Sequence, residues 1–354
     1  MDIRPVGVTR EGGRPTDVEL GKLLLNGGSL LGIIVVVALN VLLLRENPGL
    51  YVAAVLIGLS NGALIALVAL GYTLVYGIIE LINFSHGDLF MLGTIVSLFV
   101  LTAFGFGTET GQTPWLVIVL ATLAAMAVCG TLNVLAERFA YRPLRKAPRL
   151  APLISAIGVS FIYVNVGLIL IGAAPRRYPD LLPNYDFVQA IFKTDTLIRF
   201  TVKDIFVLVP ALLLMLALIF IIQRTKMGRA MRAVAQDQET ALQMGVDVNR
   251  VIAFTFLLGG VLAGAAAVMF GLFFNNTHFQ LGFSAGLKAF TAAVLGGIGN
   301  VGGAALGGIV LGLLASLTVT YAGGQWENVG VFSLLVIILV FRPTGLLGEE
   351  TPER

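Results

Sequence analysis

The sequence predicts an all-α polytopic membrane protein with about 8–10 transmembrane helices. Of its 354 residues, 57% are hydrophobic and only 12% are charged, and the mean hydropathy is +0.92. A soluble domain carries about a quarter charged residues. The apolar residues also gather in runs close to the ~20 residues that a helix needs to cross the hydrocarbon core of a bilayer. The composition and the length of the apolar segments therefore both indicate a helical membrane protein.

The chain divides into a polar tail at residues 1–22, a transmembrane region at 23–342 and a second polar tail at 343–354. The first apolar run, residues 23–44, is too long for a signal-peptide core and has no small-residue cleavage site, so it predicts a retained span. Further spans are predicted at residues 50–79, 89–106, 115–136, 151–172, 205–222, 251–273, 301–321 and 329–341. Residues 284–299 predict a short extra crossing, which gives ten spans with both ends inside; a re-entrant element there leaves nine or fewer.

Two basic loops set the orientation. Residues 137–150 and 224–250 carry most of the arginines between spans, and positively charged loops stay in the cytoplasm. The segment 173–204 has nearly balanced charge, and the alternation of spans places it outside.

The loop 224–250 is longer than a simple connection requires. Its apolar residues recur at the i, i+3, i+4 spacing of an amphipathic helix, after Gly228 and before Gly245, which is well placed as a C-terminal stop. The residues alone leave two interpretations open: a docking surface for a partner protein, or a helix on the lipid headgroups with its arginines on anionic lipid.

Several polar residues lie in or beside the predicted spans. Asn83, Ser85, His86 and Asp88 surround a glycine, and they predict either a helix terminus capped by Ser85 or Asp88 or a cytoplasmic gate or hinge. Lys288 stands in an otherwise uncharged stretch, where an ionisable group is a functional candidate. The alternative for Lys288 is that its long side chain reaches the outer interface.

Glycine is concentrated in residues 259–311. Small residues allow helices to pack closely in a membrane, whereas glycine-interrupted helices can also expose backbone along a transport path. Both interpretations are compatible with the sequence.

Several function classes are disfavoured. The chain has no P-loop, so it does not resemble an ATPase. Its one cysteine, Cys129, excludes an intrachain disulfide and a cysteine-based metal cluster. The basic residues lie beside spans, so membrane orientation explains them better than nucleic-acid binding. We expect no catalytic residue, metal or cofactor on this chain.

Three motifs carry a resemblance to a known family. They are GYTLVYGII at residues 71–79 leading into INFSHGD at 82–88, GRAMRA at 228–233 with Ala241 and MGV at 244–246, and GLKAFTAAVLGGIG at 286–299. Together they resemble the branched-chain amino-acid ABC-transporter permeases of the LivH type over most of residues 58–313. The chain departs from the family in its longer polar N-terminus, its longer outer segment 173–204, and Asp88, where many members have glutamate.

The resemblance implies a permease subunit of the bacterial inner membrane. It would pair with a LivM-type second permease and two ABC ATPase subunits, which bind ATP and Mg, and a periplasmic solute-binding protein would deliver leucine, isoleucine or valine. By analogy the loop contains a cytoplasmic coupling helix, which favours docking over lipid contact. The implied ATPase-coupling residues are Gly228, Arg229, Met231, Arg232, Val234, Ala235, Ala241, Leu242 and Gly245. The substrate pathway is expected to be apolar with a few polar groups for the ends of a zwitterion, for which Asn61, Thr73 and Tyr76 are candidates.

Other transport classes remain as alternatives. Related permeases that carry urea or short amides fit the same motifs. An ion-coupled secondary transporter would need an ion site within the spans, where carboxylates are almost absent. A channel is disfavoured because no filter motif repeats, and a membrane-embedded enzyme because the spans hold no cluster of His, Asp or Cys.

Overall fold

The computed structural model describes residues 40, 42–81, 83–106, 114–145, 147–148, 150–192, 198–342 and 344–348. Residues 1–48 form a unit of their own, of which the structure describes a short helical stretch at 42–46. The predicted N-terminal tail and nearly all of the predicted first span lie outside the described residues. So does most of the predicted C-terminal tail.

The described part of the chain is almost entirely helical. The helices are α1 (Pro48–Ile79), α2 (His86–Ala103), α3 (Trp115–Ala136), α4 (Leu150–Ile171), α5 (Phe187–Phe192), α6 (Val202–Arg224), α7 (Lys226–Gln236), α8 (Gln238–Gln243), α9 (Val248–Phe274), α10 (Leu281–Gly296), α11 (Val301–Ala322) and α12 (Glu327–Phe341). A π-helical turn (Glu137–Tyr141) and a 3-10 turn (Arg142–Leu144) extend α3, and another 3-10 turn (Gly324–Trp326) precedes α12. Two short strands, β1 (Arg176–Arg177) and β2 (Asn276–Thr277), pair antiparallel.

Eight helices of the described part are long and apolar enough to cross a membrane. They are α1, α2, α3 with its extension, α4, α6, α9, α11 and α12 with its preceding turn. Each matches a predicted span, and α10, with 16 residues, overlaps the residues for which a short crossing or a re-entrant element is predicted. The prediction of an all-α, multi-pass membrane protein is confirmed.

Small residues hold the centre of the bundle together. A Cβ added to Gly260 or Gly264 of α9 would collide with the backbone of α3, at Cys129 and Ala125 respectively. Gly312 of α11 lies in the same way against Gly62 of α1. Helix backbones approach this closely only where side chains are absent, so the close-packing interpretation of the glycine-rich region is confirmed. The surrounding helices α4, α6 and α12 expose mostly apolar faces.

The two basic loops meet at one end of the bundle. Arg142 Nε and Arg145 Nη1 both donate to Asn249 Oδ1, at 3.1 and 3.0 Å, next to the start of α9. The sequence placed both loops on the same side. We call this the inner end and the opposite end the outer end.

The described part of segment 173–204 contributes buried side chains to the outer end. Tyr178, Leu181 and Leu182 are buried there among side chains of α2, α3 and α9. The Tyr178 hydroxyl donates to Ser97 Oγ at 2.9 Å. Burial raises the pKa of Tyr178 above its ordinary value, so the phenol stays protonated and remains a donor. At the end of this segment Asp204 accepts from Ser60 Oγ of α1 at 2.7 Å, which fixes the start of α6.

Candidate functional site

Helix α2 begins inside the bundle, away from either end. The His86 ring occupies the space beside Gly71, where any Cβ would collide with it. Gly71 lies eight residues before the inner end of α1, which is about 12 Å along a helix. The described residues between α1 and α2 (80–81 and 83–85) are not helical, and the chain returns along α1 to the start of α2.

Helix α10 begins opposite the start of α2. The Gly282 backbone lies against Asp88, and the backbones of Gly87 and Gly286 are in contact range. The N-terminal ends of two helices therefore meet within the bundle, which we call the junction. Close glycine packing therefore also occurs at the junction, whereas a transport path along exposed backbone stays a prediction.

Buried polar side chains surround the junction. The Ser160 hydroxyl of α4 donates to Asp88 Oδ2 at 2.5 Å, while Asp88 Oδ1 has no hydrogen-bond partner among the described residues. Both His86 ring nitrogens also lack one in that part of the chain. The Tyr72 ring packs edge-on against His86 at 4.9 Å between centroids. Unpaired polar atoms in a membrane interior are costly, and such costs concentrate at functional sites.

The prediction that Ser85 or Asp88 caps this helix is wrong. Ser85 is at the N-cap position without a capping hydrogen bond, and its hydroxyl donates to Asn83 Oδ1 at 2.7 Å. Tyr141 donates to the same oxygen at 2.7 Å, and Asn83 Nδ2 donates to Asn133 Oδ1 at 3.3 Å. These hydrogen bonds hold Asn83 and Ser85 against α3 and its extension.

A cavity of about 430 Å³ opens between α1, α9, α10 and α11 on the outer side of the junction. We call it the outer cavity. Its walls are mainly apolar, with Ile57, Leu64, Val68, Phe90 and Phe270 among them. The polar groups that line it are Asn61, Ser284, Ser316, Thr320, Lys288 and Glu327.

The predicted pathway residues separate into two groups. Asn61 and Lys288 line the outer cavity, and the Lys288 ammonium lies 2.5 Å from Glu327 Oε1. Thr73 is buried with its hydroxyl unpartnered among the described residues and does not line the cavity. Tyr76 lies nearer the inner end, where Tyr72, Tyr76, Phe290, Ala293 and Ile298 enclose a void of only about 10 Å³.

The predicted amphipathic helix of the basic loop is two helices. Asp237 separates α7 from α8 because its carboxylate accepts from the backbone of Glu239 and Thr240 at 2.9 and 3.1 Å, which starts a new helix. Gly228 was expected to precede the helix. It lies within α7, and its N–H donates to the N-cap Thr225 at 3.0 Å. Gly245 ends α8 as expected, with φ of 85°.

The apolar stripe of this loop does not form one exposed face. Met231, Val234 and Ala241 are buried in the chain's own core. Ala235 is exposed, and Leu242 is 63% exposed. Met244, which the sequence indicated only as part of the MGV motif and not as a coupling residue, is 81% exposed. Half of the stripe therefore anchors the loop, and the other half is free for contact.

Two hydrogen bonds connect these helices to the spans. Gln238 Nε2 of α8 donates to the Ile78 carbonyl at the inner end of α1, at 3.1 Å. Arg232 of α7 donates to the Ile222 carbonyl near the end of α6. The exposed Arg229 also lies on α7. Helices α7 and α8 are therefore hydrogen-bonded to the inner ends of α6 and α1.

Several site residues were missed by the sequence analysis. Glu327 lies between the predicted spans 301–321 and 329–341, 39 residues from Lys288, so their pairing had no local signal. Ser160, Asn133 and Tyr141 are isolated polar residues in apolar or basic surroundings, and only an intramembrane hydrogen-bonding role could have been suspected. Among the described residues, no group of three or more His, Cys, Asp or Glu side chains could hold a metal ion.

The chain is similar to a described protein family and to several named transport proteins. Residues 54–341 match the family described as "Branched-chain amino acid transport system / permease component". The chain is 39% identical to the high-affinity branched-chain amino acid transport permease BraD of Pseudomonas aeruginosa, over 86% of this chain and 98% of that protein. It is also 39% identical to LivH of Escherichia coli K12, over 84% of this chain and 95% of that protein.

A more distant relative has another printed function. The autoinducer 2 import permease LsrD of Escherichia coli O9:H4 is 26% identical over 66% of this chain and 70% of that protein. No solved structure matches the chain.

Proposed function

This chain belongs to the branched-chain amino-acid transport permease family, and we propose that it is an inner-membrane subunit of an ATP-driven importer. In this proposal it forms half of the pathway for leucine, isoleucine and valine. The observation that carries the proposal is the outer cavity, whose apolar walls and single ion pair suit an amino acid with an aliphatic side chain.

The outer cavity offers a partner for each part of such a molecule. An aliphatic side chain gains about 25 cal/mol for each Å² of apolar surface that it buries, and Ile57, Leu64 and Phe270 provide that surface. Charged ends are costly to bury unless each is paired. The Lys288 ammonium would meet the substrate carboxylate, and the Glu327 carboxylate would meet its ammonium. Urea and short amides carry no charge that would replace this ion pair.

The junction would act as the inner gate. Phe90 and Leu281 line the outer cavity and lie within the first two turns of α2 and α10, so the cavity floor is built from the junction helices. Beyond them the void beside Tyr72 and Tyr76 is too small for an amino acid. Opening toward the inner end requires α2 or α10 to move, which would separate His86 from Gly71. Asn83, Ser85 and Asp88 would then act as hinge and anchor points.

The exposed part of α7 and α8 would receive the movement of an ABC ATPase. We define the coupling surface as Arg229, Arg232, Ala235, Leu242 and Met244, while the buried Met231, Val234 and Ala241 hold it to the spans. Two ATPase subunits would bind ATP and Mg²⁺, and a LivM-type permease would supply the second half of the pathway. A periplasmic binding protein would load the outer cavity. Nucleotide state can bias the inward and outward forms only through contacts that differ between them.

Reconstitution of the complete importer tests this proposal. Proteoliposomes with the two permeases, the ATPases and the binding protein should accumulate leucine only with ATP. The Lys288→Met variant should lower uptake while the complex still assembles and binds its ATPases. Leucine transport by the purified chain alone, or undiminished uptake by Lys288→Met, would contradict the proposed pathway.

A further inference from the structure

A second cavity opens at the inner end of the bundle, where the proposed function needs no binding site. It has a volume of about 480 Å³, within the range of small-molecule sites. We call it the inner pocket. It lies between the end of α1, the segment after α3, the start of α4 and helix α8.

The inner pocket carries opposite charges. Glu80 and Arg145 both line it. The terminal nitrogens of Arg145 are held by Glu137 and Asn249, so the guanidinium is fixed in place, and its buried Nε has no partner among the described residues. Glu80 takes part in none of the ion pairs of the described chain. The pocket is therefore lined by a guanidinium that is already paired with Glu137 and by a carboxylate that has no ion-pair partner among the described residues.

Aliphatic side chains also line this pocket. Ile79, Leu81, Leu150 and Leu153 are among the lining residues, together with the amide of Gln238. Leu150 and Glu80 are exposed, so the pocket is accessible from the inner side. One carboxylate, one guanidinium and an apolar wall match the ammonium, carboxylate and side chain of an aliphatic amino acid.

The backbone at Glu80 supports a functional role. Its φ of 53° lies in the left-handed region, which a residue with a Cβ adopts only at a cost. Such strain persists where the surrounding structure enforces it, and it clusters at binding sites and switches. At Glu80 the strained backbone ends α1 and places the carboxylate on the wall of the pocket.

We propose that the inner pocket binds a free aliphatic amino acid from the cytoplasm and that its occupancy slows import. Gln238 lines the pocket and also donates to the Ile78 carbonyl, so a bound molecule would join α8 to the end of α1. A ligand that favours this closed arrangement shifts the population toward it and opposes the movement of the coupling surface. That the ligand is the transported amino acid rests on the proposed function, whereas its class follows from the pocket.

The test uses the complete importer in proteoliposomes that contain ATP and graded concentrations of unlabelled L-leucine. Labelled leucine and the binding protein are supplied outside, and initial uptake is measured. At the internal concentration that half-fills the pocket, import should fall about twofold by mass action. The Glu80→Gln variant should keep its uptake with an empty interior but need about tenfold more internal leucine, because one charge-assisted contact is lost. Glu46→Gln, which changes an exposed acid elsewhere in the chain, should behave as wild type.

Analogues that lack one charge show whether both charges of leucine contribute to binding in the inner pocket. Internal 4-methylpentanoate lacks the ammonium and internal 3-methylbutylamine lacks the carboxylate, so each should inhibit less than leucine. No inhibition by internal leucine would overturn the proposal, and so would equal inhibition of wild type and Glu80→Gln. The Lys288→Met variant separates the two proposals: its uptake from an empty interior should be low, while its fractional inhibition should be unchanged.

Discussion

Lys288 of α10 and Glu327 of α12 form an ion pair of 2.5 Å across the rim of the outer cavity. Helical side chains tilt toward the N-terminus of their helix, so the lysine points from the middle of α10 toward the outer end. A lysine whose side chain reaches toward the lipid headgroups of the outer interface would point in the same direction. The ammonium nevertheless ends on a partly buried carboxylate, so lipid headgroups are not needed to explain its position.

Neutralising either member should impair uptake. Lys288→Met leaves the Glu327 carboxylate without its partner, and Glu327→Gln leaves the Lys288 ammonium without its partner. Loss of a charge-assisted hydrogen bond costs about 1.5–3 kcal/mol, so we expect leucine uptake to fall at least about tenfold. Uptake kinetics should show a raised KM if the substrate replaces the pair.

The charge-swapped variant provides the control. Lys288→Glu combined with Glu327→Lys restores attraction between the helices, so its abundance in the membrane should match wild type. A purely structural pair predicts that uptake also recovers, whereas a substrate-binding pair predicts that it stays low.

Substitutions on α7 and α8 should separate into two classes. Leu242→Asp and Met244→Asp change exposed side chains, so the protein should insert normally but fail to couple ATP hydrolysis to uptake. Met231→Asp places a carboxylate in the core, where an unpaired charge is strongly destabilising, so this variant should be lost from the membrane. Abundance, ATP hydrolysis and uptake measured together distinguish the classes. Normal uptake by Leu242→Asp with Met244→Asp would refute the coupling surface.

The contact between Gly71 and His86 should be sensitive to one methyl group. Gly71→Ala places a Cβ where the imidazole lies, and such overpacking costs about 1–3 kcal/mol. We expect lower thermal stability and lower uptake. Adding His86→Ala removes the clash, so the double variant should recover stability. If His86 is required for gating, it should not recover uptake.

The sequence predicted the spans but not how their faces are arranged. Hydropathy separates apolar segments from water, yet lipid and protein interior are both apolar, so it does not show which side of α6 or α12 meets neighbours. For the same reason the sequence shows the helical spacing of the apolar residues on α7 and α8 but not which of them contact the rest of the chain. Met231 and Leu242 look alike in the pattern, but one is buried and the other is exposed.

The sequence also did not predict which residues far apart in the chain come into contact. Asn61 and Lys288 were found because polar groups in spans are conspicuous, whereas Glu327 lies between two predicted spans. The start of α2 inside the bundle depends on the space beside Gly71, and sequence spacing does not show which side chain fills it. Ser85 was expected to cap α2 because serine favours that position; its contacts with Asn83 and Tyr141 are tertiary and take precedence.

The outer segment should stabilise the bundle through Tyr178. Tyr178→Phe keeps the ring against Gly271 but removes the hydrogen bond to Ser97, and Ser97→Ala removes the same bond from the other side. Hydrogen bonds between membrane helices contribute about 0.6 kcal/mol on average in double-mutant cycles. We expect each single variant to lower thermal stability slightly and the double variant to add little more. Fully additive losses would mean that the two hydroxyls act independently. Tyr178→Ala, which also empties a buried ring site, should cost about 3–5 kcal/mol, and its effect should be visible as loosened proteolytic protection of residues 173–192.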